Sequence, residues 1–179
     1  MSILEAKDAI LPWYAIRVRS KCEKLVSTAL SGKDYHQYLP LYRSRRKWSD
    51  RLKDLDLPLF PGYLFCRLDV QNRLPILTTP GVVSIVGTGK VPVPVPEAEI
   101  EAIRTVIRSG LHVLPWPRLA VGTKVVIEHG PLKDIEGVIL NIEKKYRLLV
   151  SVPLLQRSVS VEIDREWARP TASTNRPPL

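Results

Sequence analysis

The stretch over residues 109–120, SGLHVLPWPRLA, constrains this chain most, because it separates two segments of different texture. It holds two prolines and a glycine, and its apolar residues follow neither a helical nor a strand period, so it reads as an interdomain linker. Before it, helical and strand periods interleave. After it the chain is dense in Val, Ile and Leu, in short runs divided by turn residues. A chain of 179 residues has room for a medium domain and a small one. The expected division is a flexible start over 1–11, a first domain over 12–110, a linker over 111–119, a second domain over 120–170 and a polar, proline-rich, disordered tail over 171–179.

In the first domain, Trp13 to Val18 alternates at a strand period. Ser20, followed three positions later by Glu23, carries a capping-box signature; Cys22, Leu25, Val26, Ala29 and Leu30 then repeat at helical spacing until Gly32 offers a stop. Residues 38–42 and 55–59 read as strands joined by a long basic loop containing RSRRKWSDR over 43–51, and Asp50, Asp54 and Asp56 beside Arg51 and Lys53 suggest a solvated, self-neutralising hairpin. A strand over 62–68, a short helix over 72–77 and a β-branched strand over 81–87 follow. Pro96 opens a last helix, with Glu97 and Glu99 in its first turn, Arg104 and Arg108 near its end, and an apolar stripe of Ile100, Ile103, Val106 and Ile107. The run Gly87-Thr88-Gly89 lacks the third glycine and the helix of a dinucleotide-binding loop and reads as a turn.

In the second domain, residues 124–128, 137–142, 146–152 and 158–163 form four short strand patterns at the spacing of a small closed barrel. Val159, Val161 and Ile163 share one face of the last, and Ser158, Ser160 and Glu162 share the other. The fold class expected is α+β: an antiparallel-sheet α/β sandwich followed by a small β-barrel.

A net charge of +9, concentrated in two clusters, suits an acidic partner, nucleic acid first, and equally a basic solvated surface, between which charge alone does not decide. No apolar run approaches the ~20 residues of a membrane span, and the start lacks the pattern of a secretory signal, so a cytoplasmic protein is expected. Cys22 and Cys66 show no metal spacing with His36, His112 and His129 and read as buried free thiols. No nucleophile–base set, carboxylate pair or metal cluster emerges, so the expectation is not an enzyme, with no cofactor.

Several runs resemble a known family. Trp13-Tyr14, the run Phe60-Pro61-Gly62-Tyr63-Leu64-Phe65, and Thr79-Pro80-Gly81-Val82-Val83 followed by Val86-Gly87 are similar to the amino-terminal domain of the NusG family of transcription elongation and antitermination factors. Gly130-Pro131-Leu132, Glu136-Gly137-Val138, Val150-Ser151-Val152 and Val161-Glu162-Ile163 resemble its carboxy-terminal KOW domain, with Asp134 where a glycine is frequent. Arg17, Arg19 and the segment YLPLYRSRRKWSD over 38–50 resemble the specialised RfaH-like and UpxY-like branches.

The resemblance implies a monomer that docks on the clamp helices of RNA polymerase, through a patch of Tyr14, Tyr63 and Phe65 with Leu64 and Cys66 on the opposite face. It implies upstream and nontemplate DNA of the transcription bubble as a second partner. Arg17, Arg19, Lys21 and Lys24, and Arg43, Arg45, Arg46, Lys47 and Arg51 in the basic loop, would contact phosphates. Trp48 would stack on an unpaired base or tether the loop; Thr78 and Thr79 would touch the nontemplate strand or serve as ordinary turn residues. Leu132, Ile135, Leu154 and Leu155 would either bind Rho or a small-subunit ribosomal protein or cap the barrel. A KOW-type RNA-binding or ribosome-associated protein is the alternative, against which the Phe60 to Phe65 run argues.

Overall fold

In this computed structural model residues 11–48, 51–116, 122–142 and 145–171 are described, without the side chains of 45–48, 51–52, 141–142, 145 and 165. The strands are β1 (Trp13–Val18), β2 (Gln37–Tyr38), β3 (Leu41–Trp48), β4 (Arg51–Pro58), β5 (Tyr63–Arg67), β6 (Val82–Ile85), β7 (Gly87–Thr88), β8 (Val91–Pro92), β9 (Pro94–Val95), β10 (Val113–Trp116), β11 (Thr123–Ile127), β12 (Glu136–Ile142), β13 (Lys145–Val152), β14 (Arg157–Ile163) and β15 (Ala168–Pro170). The helices are α1 (Glu23–Ser31), α2 (Leu74–Leu77) and α3 (Glu97–Arg108). By compactness the chain divides into Met1–Leu39 with Pro61–Glu97, and Pro40–Phe60 with Ala98–Leu179.

In the first unit β1 is central: it pairs antiparallel with β5, β6 and β9, and β2 adds to the far edge of β5. Residues directly opposite in an antiparallel pair share a face, so Tyr14 with Cys66 and Ile16 with Leu64 fall on one side. There they meet Val26 and Leu30 of α1, Ile76 of α2 and Leu68 in one buried cluster, with Cys22 packed against it. Of the helical period expected from residue 22 onward, Cys22, Val26 and Leu30 form the stripe that covers the sheet, whereas Leu25 is exposed, a correction to that period.

The capping box does not form. Cys22 is the N-cap residue, with no side-chain cap, and Glu23 turns away from the helix backbone. Gly32 ends α1 without a left-handed turn, at φ −67°. The short helix expected over 72–77 is two pieces, a 3₁₀ turn over Val70–Asn72 and then α2. The turn after β7 is made by Gly89, at φ +61°, and leads into β8.

In the second unit β3 and β4 pair over eight residues. The long basic loop expected over 43–51 is therefore a correction: strand pairing continues through Trp48 and Arg51, leaving two residues between the strands. The basic run carries no strand period of its own and becomes a strand through its partner, whose register sets Asp56 opposite Arg43 and Asp54 opposite Arg45, but Lys53 opposite Arg46. Of the aspartates read as neutralising this hairpin, Asp54 and Asp56 lie on β4 and Asp50 lies outside the described residues. Helix α3 buries Ile100, Ile103 and Val106, while Ile107 is half-buried.

All four strand patterns of the second domain become β11 to β14, within a six-stranded sheet ordered β10-β14-β13-β12-β11-β15. Its core holds Val125, Ile127, Leu148, Val150, Val152, Val159, Val161 and Ile163. The linker expectation is corrected here: Val113–Trp116 is a strand paired with β14. Its apolar residues lack an unbroken alternation because Pro115 interrupts it, and a proline is tolerated on an edge strand. The expected start and tail fall, but for residues 11 and 171, outside the described residues.

Candidate functional site

The motif residues of the first unit converge at the junction of β1 and α1. Two turns close on it from either side: the Val18 N–H donates to the Gly62 carbonyl at 2.9 Å, and the Arg19 N–H donates to the Gly81 carbonyl at 2.8 Å. Both glycines are left-handed, at φ +84° and +93°. At Gly81 a Cβ would meet Val26 Cγ2 of α1 at 2.9 Å. Glycine is therefore demanded by backbone conformation at Gly62, and by conformation and close approach at Gly81. Glu23 completes the junction. Its buried carboxylate accepts a hydrogen bond from the Gly62 N–H at 2.8 Å, a role with no sequence signal beyond an acid in a first helical turn.

On the face of the sheet away from the α1 cluster, Tyr63 stands opposite Arg17, and Arg17 opposite Ser84, giving a row across three strands. Tyr63 is half-buried and Arg17 exposed. Arg19, Lys21 and Lys24 continue the exposed basic row around the turn into α1. Lys21 adopts φ +66°. Phosphate-bearing ligands suit such a row, since it offers guanidinium and ammonium groups, and the register neighbours of Arg17, Tyr63 and Ser84, are uncharged.

The structure corrects the expected aromatic patch. Tyr14 lies on the face opposite Tyr63 and Phe65, together with Leu64 and Cys66, because it is in register with Cys66. Phe65 shares the Tyr63 face, yet it is fully buried, with its ring 6.4 Å from that of Tyr38. Only Tyr63 of the three reaches solvent as more than a sliver. Thr79 is likewise buried: its hydroxyl donates to the Pro75 carbonyl and accepts from Lys33 Nζ at 2.8 Å. Thr78 is exposed, with its hydroxyl donating to the Leu74 carbonyl.

Trp13 is an anchor of the fold. Its Nε1 donates to Glu97 Oε1 at 3.2 Å, and Arg67 reaches both Glu97 oxygens at 2.8 and 2.7 Å while lying 4.6 Å over the indole ring. Burial pushes the Cys66 thiol up to about 12, so it is no nucleophile at neutral pH. Both cysteines are free; Cys66 is buried and Cys22 partly so. No group of three or more His, Cys, Asp or Glu residues suited to a metal occurs among the described residues. No helix there is long and apolar enough to cross a membrane.

The second basic group belongs to the other unit. Arg43 is exposed on β3, whereas the side chains of Arg45, Arg46, Lys47, Trp48 and Arg51 lie outside the described ones. Of the four apolar residues expected on barrel loops, Leu132 and Leu155 are buried, which corrects their exposure in favour of capping the sheet. Ile135 and Leu154 are half-buried. Asp134 is left-handed at φ +67°, the conformation that explains a glycine at this place.

A family model described as transcription termination factor nusG matches residues 11–104. Among curated proteins, "Transcription termination/antitermination protein NusG" of Borreliella burgdorferi is 22% identical over 173 residues, covering 85% of this chain and 94% of its own. The proteins of that name from Escherichia coli K12 and Thermus thermophilus are 26% and 32% identical; the alignments take in 85% and 59% of this chain, and 92% and 64% of theirs. A solved structure, "Domain interaction in Thermotoga maritima NusG", shares the fold at 22% identity and TM-score 0.55, over 89% of this chain and 96% of that one.

Proposed function

Since the chain belongs to the NusG family, we propose that it is a non-enzymatic transcription elongation and antitermination factor that rides on RNA polymerase in the cytoplasm. The observation that carries this reading is the convergence of the two Pro-Gly turns on the β1–α1 junction, which sets Tyr63 beside Arg17 at the head of an exposed basic row. Tyr63 supplies an amphipathic anchor of the kind that dominates docking surfaces, here for the clamp helices. Arg17, Arg19, Lys21 and Lys24 supply salt-sensitive contacts to upstream bubble DNA, and Thr78 a hydroxyl for the nontemplate strand. Bridging the cleft would disfavour its open, paused form by differential affinity alone, with no bond made or broken. In this reading residues 12–110 form the polymerase-binding domain. The strands β11 to β15 form the KOW barrel, which recruits Rho or a small-subunit ribosomal protein around Ile135 and Leu154.

The test is retention of core RNA polymerase by the full chain, beside elongation over pause and terminator sites in vitro. Tyr63→Ala should weaken retention about tenfold or more, the scale of a docking anchor. Reversing Arg19 and Lys24 to Glu should lower crosslinking to upstream DNA while retention stays. Undiminished polymerase binding by Tyr63→Ala would sink the docking assignment.

A further inference from the structure

Ser84 ends the row that Tyr63 and Arg17 begin across β5, β1 and β6. It is half-buried, whereas Arg17 is exposed. Among the described residues, neither the Arg17 guanidinium nor the Ser84 hydroxyl has a hydrogen-bond or ion-pair partner. Directly opposite residues of an antiparallel pair have Cβ atoms ~5 Å apart, so the long Arg17 side chain can fold over the short one. Both donors then reach one acceptor group.

The backbone holds the hydroxyl in place. The Arg19 N–H donates to the Gly81 carbonyl and the Val86 N–H to the Ala15 carbonyl, each at 2.8 Å. Strand β6 is therefore tied to β1 on both sides of Ser84, and a serine side chain adds little freedom of its own. Arg17 by contrast keeps its rotamers until a ligand orders it. The guanidinium supplies charge, and the hydroxyl supplies a preformed position.

The acceptor is an anion, because a guanidinium is always charged and only donates. The neighbouring charges decide which anion. Exposed cations recur at Arg17, Arg19, Lys21 and Lys24, while the one acid between residues 17 and 24, Glu23, is buried with its carboxylate on the Gly62 N–H. A lone carboxylate neutralises one of these four cations. A chain of phosphates answers the whole row.

We propose that Ser84 is a nucleic-acid-binding residue, and that its hydroxyl and the Arg17 guanidinium together hold one backbone phosphate of the DNA. The proposal rests on the reading of the basic row as a DNA-binding surface. Ser84 donates to one unesterified oxygen and Arg17 to the other. Such a contact positions the strand and reads no base.

Binding of a labelled forked DNA duplex by the full chain, measured over a series of salt concentrations, tests the seat. Ser84→Ala should weaken binding about tenfold, the order of a hydrogen bond to a charged group. It should leave the salt dependence unchanged, because a hydroxyl releases no counterion. Arg17→Ala should lower the slope of log affinity against log salt by about one. Ser84→Thr, which keeps the hydroxyl, should bind as the unaltered chain does. In the Arg17→Ala background, Ser84→Ala should have no further effect, since both residues serve one phosphate. Additive losses would overturn the shared seat. A Ser84→Ala chain that retains core RNA polymerase less well but binds the duplex undiminished would overturn it too, assigning the pair to a carboxylate on the polymerase. Reversing Arg19 and Lys24 to Glu separates the seat from the row. If that variant loses the duplex while Ser84→Ala binds it undiminished, the seat falls and the row stands; undiminished binding by both overturns the two together.

Discussion

The carboxylate of Glu23 and the backbone N–H of Gly62 are joined by a 2.8 Å hydrogen bond, with Glu23 only 5% exposed. One residue at the head of α1 thereby holds the turn from which Tyr63 emerges, while the carbonyl of the same glycine is held by Val18. Removing the acceptor leaves a backbone donor without its partner in a closed junction. Glu23→Ala should cost about 1–3 kcal/mol of unfolding free energy, and Glu23→Gln, which keeps an acceptor, clearly less. Urea denaturation of the two variants checks this. Equal losses would mean that the contact with Gly62 contributes nothing beyond packing.

Cys66 provides a pH signature. Burial raises its thiol from the ordinary 9.0 to about 12. In the unfolded chain the thiol ionises above pH 9, whereas in the folded chain it stays protonated, so the unfolded state binds fewer protons between those values. Stability is therefore fully present below pH 9 and lost as pH rises toward 12. The unfolding free energy of the unaltered chain should fall toward that of Cys66→Ala over this window. A constant gap between the two would show that the thiol ionises freely in the folded state. At pH 8, partly exposed Cys22 should be alkylated faster than Cys66.

The loop between β11 and β12 carries a conformational asymmetry. Asp134 is left-handed at φ +67°, whereas Gly130, at φ +80°, has the Trp167 ring 3.0 Å from where a Cβ would stand. Asp134→Gly should be neutral or stabilising by up to about 1 kcal/mol, because it relieves an L-residue of that conformation. Gly130→Val should destabilise by more than about 2 kcal/mol, since strain and a clash with the indole add. Thermal unfolding of both variants gives the comparison, and a destabilised Asp134→Gly would point to an unrecognised role for the carboxylate.

How far the site was legible varies residue by residue. The Pro-Gly pairs at 61–62 and 80–81 could be found because a left-handed turn leaves a glycine in the sequence, and the basic row of Arg17, Arg19, Lys21 and Lys24 because exposed charge needs no partner to be recognised. Tyr14 was misplaced. Strand period assigns it a face relative to its neighbours along β1, but which face it shares with Leu64 or Phe65 depends on the register with β5. For Thr79 and Leu132 the sequence left two roles open for a related reason: a hydroxyl can be engaged by Lys33, 46 positions away, and a loop leucine can turn inward, without either leaving a local pattern.

The stretch over 109–120 shows the same division. By itself the sequence determined the four strand patterns after it, the buried stripe of α3, and the left-handed turns at Gly62 and Gly81, since each depends on residues a few places apart. Tertiary structure alone decided that residues 113–116 become a strand, that the basic run over 43–48 is one side of a hairpin, and that Glu23 reaches Gly62. Backbone hydrogen bonds between strands and the partners of buried polar groups join residues distant along the chain, and their register exists only once the sheets are assembled.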